Sequence, residues 1–330
     1  MQPVILVTGA TGALGRHLIP HLQRAGYQVR GHYRTRARPG SNGVDWRQMN
    51  FLETLDFSSL VAACDAIIHL AAETNNGPLM YRVNAEATAA LLAAAQSAGT
   101  RYFGYASSIV VYGSPSRRVV DETTPILDPR APLVRQYHAN PSMLEYARTK
   151  VLAERAIDQL RPNMTVDLYR PTVIVDLDEI LSAGYWNTFR KLAFGYRQTQ
   201  YIYVRDVAAA ILHLVAQGLG SQEARSRIEA FNVSDEDCGT FRDILKVAYK
   251  VTGDRRYKPN VGLAMSMVLD LTKDALKYRD PNLRYALGML RFRNAKLLST
   301  GFSFPCGFKS ALEQALARTA PASRLTQTLA

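Results

Sequence analysis

The sequence is poor in cysteine and has no long apolar run. Its three cysteines, Cys64, Cys238 and Cys306, are far apart and match no metal-ligand spacing. We therefore expect free thiols in a reducing compartment, and no metal ion. No apolar stretch approaches the roughly 20 residues that cross a bilayer, and a strand-like run starting at Val4 leaves no room for a signal peptide. These absences predict a cytoplasmic protein that binds no membrane.

Lysine is also scarce, since only 9 of the 40 basic residues are lysine and 31 are arginine. The formal net charge of +12 could reflect nucleic acid, an acidic carrier protein, or an anionic cofactor and substrate. The basic residues are scattered and no nucleic-acid-binding motif accompanies them. We therefore expect a solvated basic surface and a small-molecule substrate, with no nucleic-acid partner.

Strand and helix patterns alternate through the first half of the chain, which predicts a parallel sheet with helices on both faces. The expected fold class is α/β, a Rossmann-type doubly wound parallel sheet with a smaller, mainly helical C-terminal substrate lobe. We assign residues 1–171, completed by 201–234, to the dinucleotide-binding domain. The substrate lobe is predicted over 172–200 and 235–320, and a disordered tail over 321–330.

A glycine-rich turn joins the first strand to the first helix. Glycines at 9, 12 and 15 allow a backbone to approach a pyrophosphate closely, and a helix N-terminus attracts its charge. This context predicts dinucleotide binding. The residues expected to contact the cofactor here are Gly9, Thr11, Gly12, Ala13, Leu14 and Gly15.

The second strand lacks the acidic residue that usually binds the adenosine ribose of NAD about 20 residues after the glycines. Tyr33 and Arg34 stand there, Arg36 follows, and no acid occurs before Asp45. A guanidinium can bind a 2′-phosphate, so NADP(H) is favoured over NAD(H). Alternatively, the arginines are solvated and the backbone alone holds the ribose.

Tyr146 and Lys150 are four residues apart on a predicted helix, so their side chains share one face. A nearby ammonium makes a phenol a usable acid or base. Ser108 ends the preceding strand, where its hydroxyl could orient a carbonyl group. The three residues are therefore the candidate catalytic set.

Together, these motifs resemble the extended short-chain dehydrogenase/reductases, the NAD-dependent epimerase/dehydratase-like family. The resemblance rests on TGATGALG, His69-Leu70-Ala71-Ala72, Val83-Asn84, Ser107 to Gly113, Tyr146-Ala147-Arg148-Thr149-Lys150, Arg170-Pro171 and Tyr203 to Ala208. It implies that Tyr146 exchanges the proton at the substrate oxygen, Lys150 holds the nicotinamide ribose and lowers the tyrosine pKa, and Ser108 steadies the carbonyl. It also implies further cofactor contacts from Asn50, Phe51, Leu70, Ala71, Ala72, Pro171, Thr172 and Val173.

The residues after Ser108 and after Pro171 limit which reactions of this family we expect. Dehydratases of this family carry an Asp-Glu pair there, whereas this chain has Ile109 and Val110. Epimerases commonly have an asparagine-tyrosine-glycine-proline run after the Arg-Pro, and this chain has Thr172 to Asp176 instead. The C-terminal stretch from Pro281 to Pro305 is more similar to the hydroxysteroid-dehydrogenase and dihydroflavonol-reductase-like branches.

We therefore expect an NADP(H)-dependent oxidoreductase that acts on a small to medium, apolar ketone or aldehyde, or on the corresponding alcohol. The substrate residues expected are Ser108, Ile109, Tyr185 and Trp186, the last two being part of an aromatic-rich segment. The alternatives are a nucleotide-sugar epimerase, a hydroxysteroid-dehydrogenase-like enzyme, and a catalytically silent NADP(H)-binding protein. The family resemblance also implies a homodimer.

Overall fold

The structure is a computed structural model. It describes residues 2–35, 43–115, 117–133, 141–177, 181, 191, 195, 197–220, 226–258, 268, 272, 276 and 290–319. The substrate-lobe residues Tyr185 and Trp186, the cofactor candidate Arg36 and the predicted tail lie outside the described residues.

A seven-stranded sheet forms the centre of the fold. Every neighbouring pair of its strands is parallel, in the order β10-β7-β5-β4-β1-β2-β3. The strands are β1 (Val4–Thr8), β2 (Gln28–Tyr33), β3 (Val44–Gln48), β4 (Ala66–His69), β5 (Tyr102–Ala106), β7 (Thr165–Pro171) and β10 (Arg227–Val233). Two short parallel pairs lie outside it, β6 (Val119–Val120) with β11 (Arg291–Phe292), and β8 (Val173–Val175) with β9 (Tyr201–Tyr203).

Helices connect and cover these strands. In chain order they are α1 (Ala13–Arg24), α2 (Ser58–Val61), α3 (Gly77–Met80), α4 (Ala87–Ser97), α5 (Pro141–Leu160), α6 (Val204–Gly220), α7 (Phe241–Thr252), α8 (Ala295–Ser299) and α9 (Phe308–Thr319). A π-helical turn, Tyr81–Glu86, joins α3 to α4, and a 3-10 turn, Ile109–Tyr112, follows β5. None of the helices in the described ranges is both long and apolar enough to cross a membrane.

The sheet is buried on both faces, because each face packs against its own layer of helices. One apolar cluster joins α1 and α6 to the sheet, through residues such as Leu18, Leu22 and Ile211. The other joins α2, α4 and α5 to it, through residues such as Leu91 and Ile157. The predicted α/β doubly wound fold is confirmed, and the strand order reverses between β1 and β4. Ligands of such sheets bind at the carboxyl ends of the strands beside this reversal.

A third apolar cluster forms the core of the C-terminal part, where α7 packs against α9. Helix α7 begins with a capping box, because the Thr240 hydroxyl accepts from Asp243 N and the Asp243 carboxylate accepts from Thr240 N. It ends at Gly253, which has the left-handed conformation typical of a helix C-terminus. This smaller helical part lies beyond the carboxyl end of β10 in the chain, although its predicted domain boundaries stay predictions.

Candidate active site

The glycine turn brings the backbone of β1 close to β4 and exposes the start of α1. Gly9 has a φ of +63°, and a side chain there would place its Cβ 2.9 Å from the Ala71 nitrogen. At Gly15 a Cβ would lie 2.7 Å from the carbonyl oxygens of Gly9 and Ala10, so only glycine lets α1 begin so near the strand. Gly12 caps α1 without a side chain, and the first turn contains no acid. The first N–H groups of this helix therefore suit a phosphate group.

A buried hydrogen-bond chain fixes the β4 side of this turn. The Thr8 hydroxyl accepts from the backbone nitrogens of Leu70 and Ala71, both at 3.1 Å, and lies 2.7 Å from His69 Nδ1. His69 Nε2 lies 2.9 Å from the Thr88 hydroxyl. Burial lowers the pKa of His69 to about 3, with a further contribution from Lys150. His69 is thus a neutral structural residue that positions the 70–71 backbone.

A cavity of about 310 Å³ opens beside the glycine turn, and we call it the glycine-turn cavity. Ten residues predicted to contact the cofactor line it, Gly9, Thr11, Gly12, Tyr33, Arg34, Asn50, Phe51, Leu70, Ala71 and Ala72. The other predicted cofactor residues near the turn, Ala13, Leu14 and Gly15, belong to the start of α1. This grouping fits the adenosine half of a dinucleotide, with its pyrophosphate at the start of α1.

Three further residues line the glycine-turn cavity that the sequence analysis missed, namely His32, Met49 and Val83. His32 accepts from Gly9 N through Nδ1 at 3.3 Å, and its Nε2 lies 2.9 Å from the Met49 carbonyl oxygen. Its ring stacks on Phe51 with centroids 4.4 Å apart, and burial lowers its pKa. The sequence signal that could have identified His32 was a polar side chain at a buried position of β2.

Arg34 is exposed at the edge of the glycine-turn cavity, where its guanidinium lies 3.7 Å from the Glu73 carboxylate. The same carboxylate accepts from the backbone nitrogens of Thr74, Asn75 and Asn76. These bonds and Arg34 lower the pKa of Glu73, although its partial burial acts in the opposite direction. The loop after β4 thus supplies an ionised acid beside Arg34, which the spacing along β2 could not reveal.

Asn84, in the π-helical turn, connects this loop to α5. Its side-chain oxygen accepts from Glu73 N at 2.8 Å, and its amide donates to the Glu73 carbonyl oxygen and to the Thr149 hydroxyl. The Thr149 hydroxyl donates to the Tyr146 carbonyl oxygen at 3.0 Å. A continuous set of bonds therefore joins the loop that carries Glu73 to the helical turn that carries Tyr146.

Ser108 lies at the carboxyl end of β5, where it caps the 3-10 turn. Its backbone is extended and its hydroxyl accepts from Val110 N at 3.3 Å. The hydroxyl hydrogen remains available to a substrate oxygen, since an acceptor role uses only a lone pair. Ser108 is partly exposed.

Lys150 is buried beneath Tyr146. Its Nζ donates to the Ala106 carbonyl oxygen at 2.7 Å and lies 5.7 Å from the centre of the Tyr146 ring and 4.7 Å from that of Tyr105. Burial lowers the pKa of Lys150 to about 7, and Glu154 acts in the opposite direction.

The pKa of Tyr146 is raised to about 12 by burial, whereas the family resemblance implied that Lys150 would lower it. The physical reason is that burial removes water from around the phenolate and so disfavours the charged form. At neutral pH the Tyr146 side chain is thus a phenol that can donate a proton.

Glu154, one turn beyond Lys150, lies at the centre of a buried polar network. Its carboxylate binds Arg170 through two contacts, Oε1 to Nε at 3.0 Å and Oε2 to Nη2 at 2.6 Å, and accepts from the Ser107 hydroxyl at 2.5 Å. Arg170 Nη1 in turn donates to the Tyr112 hydroxyl at 2.8 Å, which donates to Asn232. Glu154 therefore links the three segments that carry Ser108, Tyr146 with Lys150, and Pro171.

A second cavity of about 340 Å³ lies on the side of the 3-10 turn and β8, and we call it the β8 cavity. Its lining includes the predicted residues Ile109 and Val173, together with Val110, Gly113, Met143, Arg197, Gln198, Thr199, Gln200, Leu290 and Phe292. Ser108 directly precedes Ile109, and Tyr146 lies one helical turn after Met143, but neither Ser108 nor Tyr146 is among the described lining residues. Pro171 and Thr172 are buried at the end of β7, and the Thr172 hydroxyl has no hydrogen-bond partner among the described residues.

The chain shares its fold, over the residues that the structure describes, with solved structures of short-chain dehydrogenase/reductases. A superfamily member from Agrobacterium tumefaciens, solved with bound NAD, aligns over 99% of both chains with a TM-score of 0.70 and 22% sequence identity. The NAD dependent epimerase/dehydratase family model matches residues 5–167.

Residues 5–167 belong to this family. The resemblance to the extended short-chain dehydrogenase/reductases is thereby confirmed, and the family model covers β1 through most of β7. The matched segment includes the glycine turn, Ser108, Tyr146 and Lys150.

Curated relatives include both reductases and epimerases. A Synechocystis sp. protein provisionally named as a dihydroflavonol 4-reductase is 33% identical over 120 residues, which are 34% of this chain and 35% of that protein. The UDP-glucose 4-epimerase of Bos taurus is 29% identical over 149 residues, 38% of this chain and 43% of the enzyme. The chain thus spans well under half the length of these relatives.

Proposed function

We propose that the chain is an NADP(H)-dependent reductase of ketones or aldehydes, in which Tyr146 donates the proton to the substrate oxygen. The observation that carries this proposal is the composition of the wall beside Ser108. Ile109, Val110 and Met143 line the β8 cavity there, and no carboxylate or imidazole lines it among the described residues. We therefore assign the acid or base role to Tyr146, one helical turn after Met143, which suits carbonyl reduction and leaves dehydration without its own acid and base.

The residues at the carboxyl edge of the sheet fit a nicotinamide dinucleotide. The start of α1 would bind the pyrophosphate, the glycine-turn cavity the adenosine, and Arg34 the 2′-phosphate. The buried Thr172 hydroxyl, which lacks a protein partner in the described chain, would meet the nicotinamide carboxamide. When bound, the cofactor supplies or accepts a hydride. NADP(H) is preferred in this proposal because the exposed guanidinium of Arg34 can make paired hydrogen bonds to a phosphate.

The protein's own contribution is to polarise the carbonyl and protonate it. The Ser108 hydroxyl would donate to the substrate oxygen, while the Tyr146 phenol transfers its proton to that oxygen as it becomes an alcohol. Because burial raises its pKa to about 12, Tyr146 is protonated at neutral pH and is ready to act as the proton donor of a reduction. Lys150, with a pKa near 7, would then return a proton to the tyrosinate.

The test replaces Tyr146 with phenylalanine. We expect the Tyr146→Phe variant to lose at least about 100-fold in kcat, which is the lower range of general acid catalysis, while its Kd for NADPH changes less than two-fold or so. Thr149→Ser is the matched control on the same helix, because it keeps a hydroxyl beside Asn84. Unchanged turnover in Tyr146→Phe would contradict the assignment of the proton donor.

Epimerisation of a nucleotide sugar is the second candidate, favoured by Arg197 and the amides of Gln198 and Gln200 in the β8 cavity. Guanidinium and amide groups can bind a diphosphate. The two functions differ in stoichiometry. A reductase consumes one NADPH per product, as measured by absorbance, whereas an epimerase would interconvert UDP-glucose and UDP-galactose without net consumption.

A further inference from the structure

A third cavity, of about 290 Å³, lies between α1, the first turn of α6 and α9, and we call it the arginine cavity. Its apolar floor consists of Leu177, Tyr203 and Ala311, which are all buried. None of its described lining residues also lines the glycine-turn cavity or the β8 cavity. Residues of the sheet domain and of the C-terminal part thus form its walls together.

Cationic side chains surround this floor. Arg24 comes from the end of α1, Arg205 from the start of α6 and Arg318 from the end of α9, and His21 lies one turn before Arg24. None of the three arginines lies within ion-pair distance of a carboxylate in the described chain. Arginines elsewhere commonly do, such as Arg30 with Asp45 at 2.8 Å. Three guanidinium groups therefore line one cavity, with no carboxylate of the described residues at ion-pair distance to neutralise them.

The acidic residue in the described lining, Asp206, does not neutralise these arginines. It is 1% exposed, and its two carboxylate oxygens accept from the backbone nitrogens of Cys306 and Gly307 at 3.1 and 2.8 Å. The positive surplus also acts on His21, whose pKa is lowered first by burial and then by Arg24, Arg205 and His17.

The arginine cavity is distinct from the glycine turn. His21 lies nine residues after Gly12, and at 1.5 Å per residue this separates the two sites by about 13 Å along α1. A dinucleotide phosphate at the start of α1 would therefore not reach the guanidinium of Arg24 at its end.

We propose that the arginine cavity binds a phosphate-bearing small molecule, with Arg24, Arg205 and Arg318 around the phosphate and its apolar part on Leu177 and Tyr203. Guanidinium groups match phosphate oxygens in geometry, and three of them suit a group with more than one negative charge. Because the ligand would touch α1, α6 and α9 together, it would also stabilise the C-terminal part against the sheet domain.

Inorganic pyrophosphate is the probe, titrated into the full chain by calorimetry at constant ionic strength. Arg205→Gln/Arg318→Gln should weaken binding at least about ten-fold, since each lost charged hydrogen bond contributes on the order of a ten-fold change. Arg130→Gln/Arg255→Gln is the matched control, because it removes the same two charges from exposed sites elsewhere. It should change the Kd by less than about two-fold.

Two further variants locate the bound probe. Gln314→Glu adds a negative charge to the lining and should weaken binding without removing an arginine. Gly12→Asp places a carboxylate at the start of α1, where it caps the helix and repels phosphate from the glycine turn, so it should leave this binding intact. Equal affinity in the wild type and Arg205→Gln/Arg318→Gln would overturn the proposal. So would loss of binding in Gly12→Asp, or a wild type that binds no pyrophosphate at millimolar concentration.

Discussion

The buried ion pair between Glu154 and Arg170 gives a sharp test of how the candidate site is held together. The two residues are 4% and 6% exposed, and replacing Glu154 with glutamine would leave the Arg170 guanidinium charged in a buried position. Removing one partner of such a pair costs about 3–5 kcal/mol. For a chain of this length, with an unfolding entropy of about 2 cal/mol/K per residue, this loss of stability corresponds to a Tm that is roughly 4–7 °C below that of the wild type.

Glu145→Gln is the matched control for Glu154→Gln, because it makes the same substitution on the same helix. Glu145 pairs with Arg148 at 3.1 Å, but both side chains are at least a third exposed. Exposed pairs contribute about 0–1 kcal/mol, so we expect a Tm change of less than about 2 °C. The assays are thermal unfolding and urea denaturation at pH 7.5.

A double-mutant cycle isolates the pair itself. Arg170→Met removes the buried charge, so Glu154→Gln should cost much less in the Arg170→Met background than in the wild type, with a coupling of at least about 2 kcal/mol. If Glu154→Gln were no more destabilising than Glu145→Gln, or if the effects of Glu154→Gln and Arg170→Met were simply additive, the reasoning that Glu154 holds the three segments of the candidate site together would be refuted.

Three further predictions concern charges near the site and in the core. Burial lowers the pKa of Lys150 to about 7, so the unfolded chain binds more protons than the folded chain between pH 7 and 10.5. The free energy of unfolding should therefore rise by roughly 4–5 kcal/mol across this window. Urea titrations of Lys150→Met should lack that rise. Asp167 behaves in the opposite way, because burial raises its pKa from 3.8 to about 6. Stability should therefore fall by roughly 2 kcal/mol as the pH rises from 4 to 6, and a slope that persists in Asp167→Asn would assign it to other groups. Glu73→Gln removes the carboxylate beside Arg34 and keeps an acceptor for the loop nitrogens. Fluorescence titration should therefore show NADPH binding about two- to five-fold tighter, with the affinity for NADH unchanged. Weaker NADPH binding would instead mean that Glu73 holds Arg34 in place.

Local spacing predicted the parts of this molecule that depend on neighbours in the chain. The run from β1 through Gly15 shows both the strand and the helix that a phosphate site requires, and the Tyr146 to Lys150 spacing places both residues on one helix. The parallel sheet followed from the alternation of elements. These features could be predicted because a turn, a helical face or a buried strand is encoded within a few residues.

Contacts between distant segments could not be predicted in this way. Glu73 approaches Arg34 only because β4 and β2 flank β1 in the sheet, and Glu154 meets Arg170 only when α5 packs beside β7. The raised pKa of Tyr146 was missed for a related reason, since desolvation depends on the packing around the ring and not on the distance to Lys150 along the helix.

The central proposal is hydride transfer from NADPH to a carbonyl carbon, and deuterium transfer tests it most directly. The protein would be incubated with NADPH that carries deuterium at both hydrogen positions of nicotinamide C4, together with a panel of aromatic and aliphatic aldehydes and ketones and, separately, with UDP-glucose. The proposal predicts an alcohol product with one deuterium on its carbinol carbon for each NADPH consumed, and no such product with Tyr146→Phe. Interconversion of UDP-glucose without NADPH consumption, together with no reduction across the carbonyl panel, would contradict it.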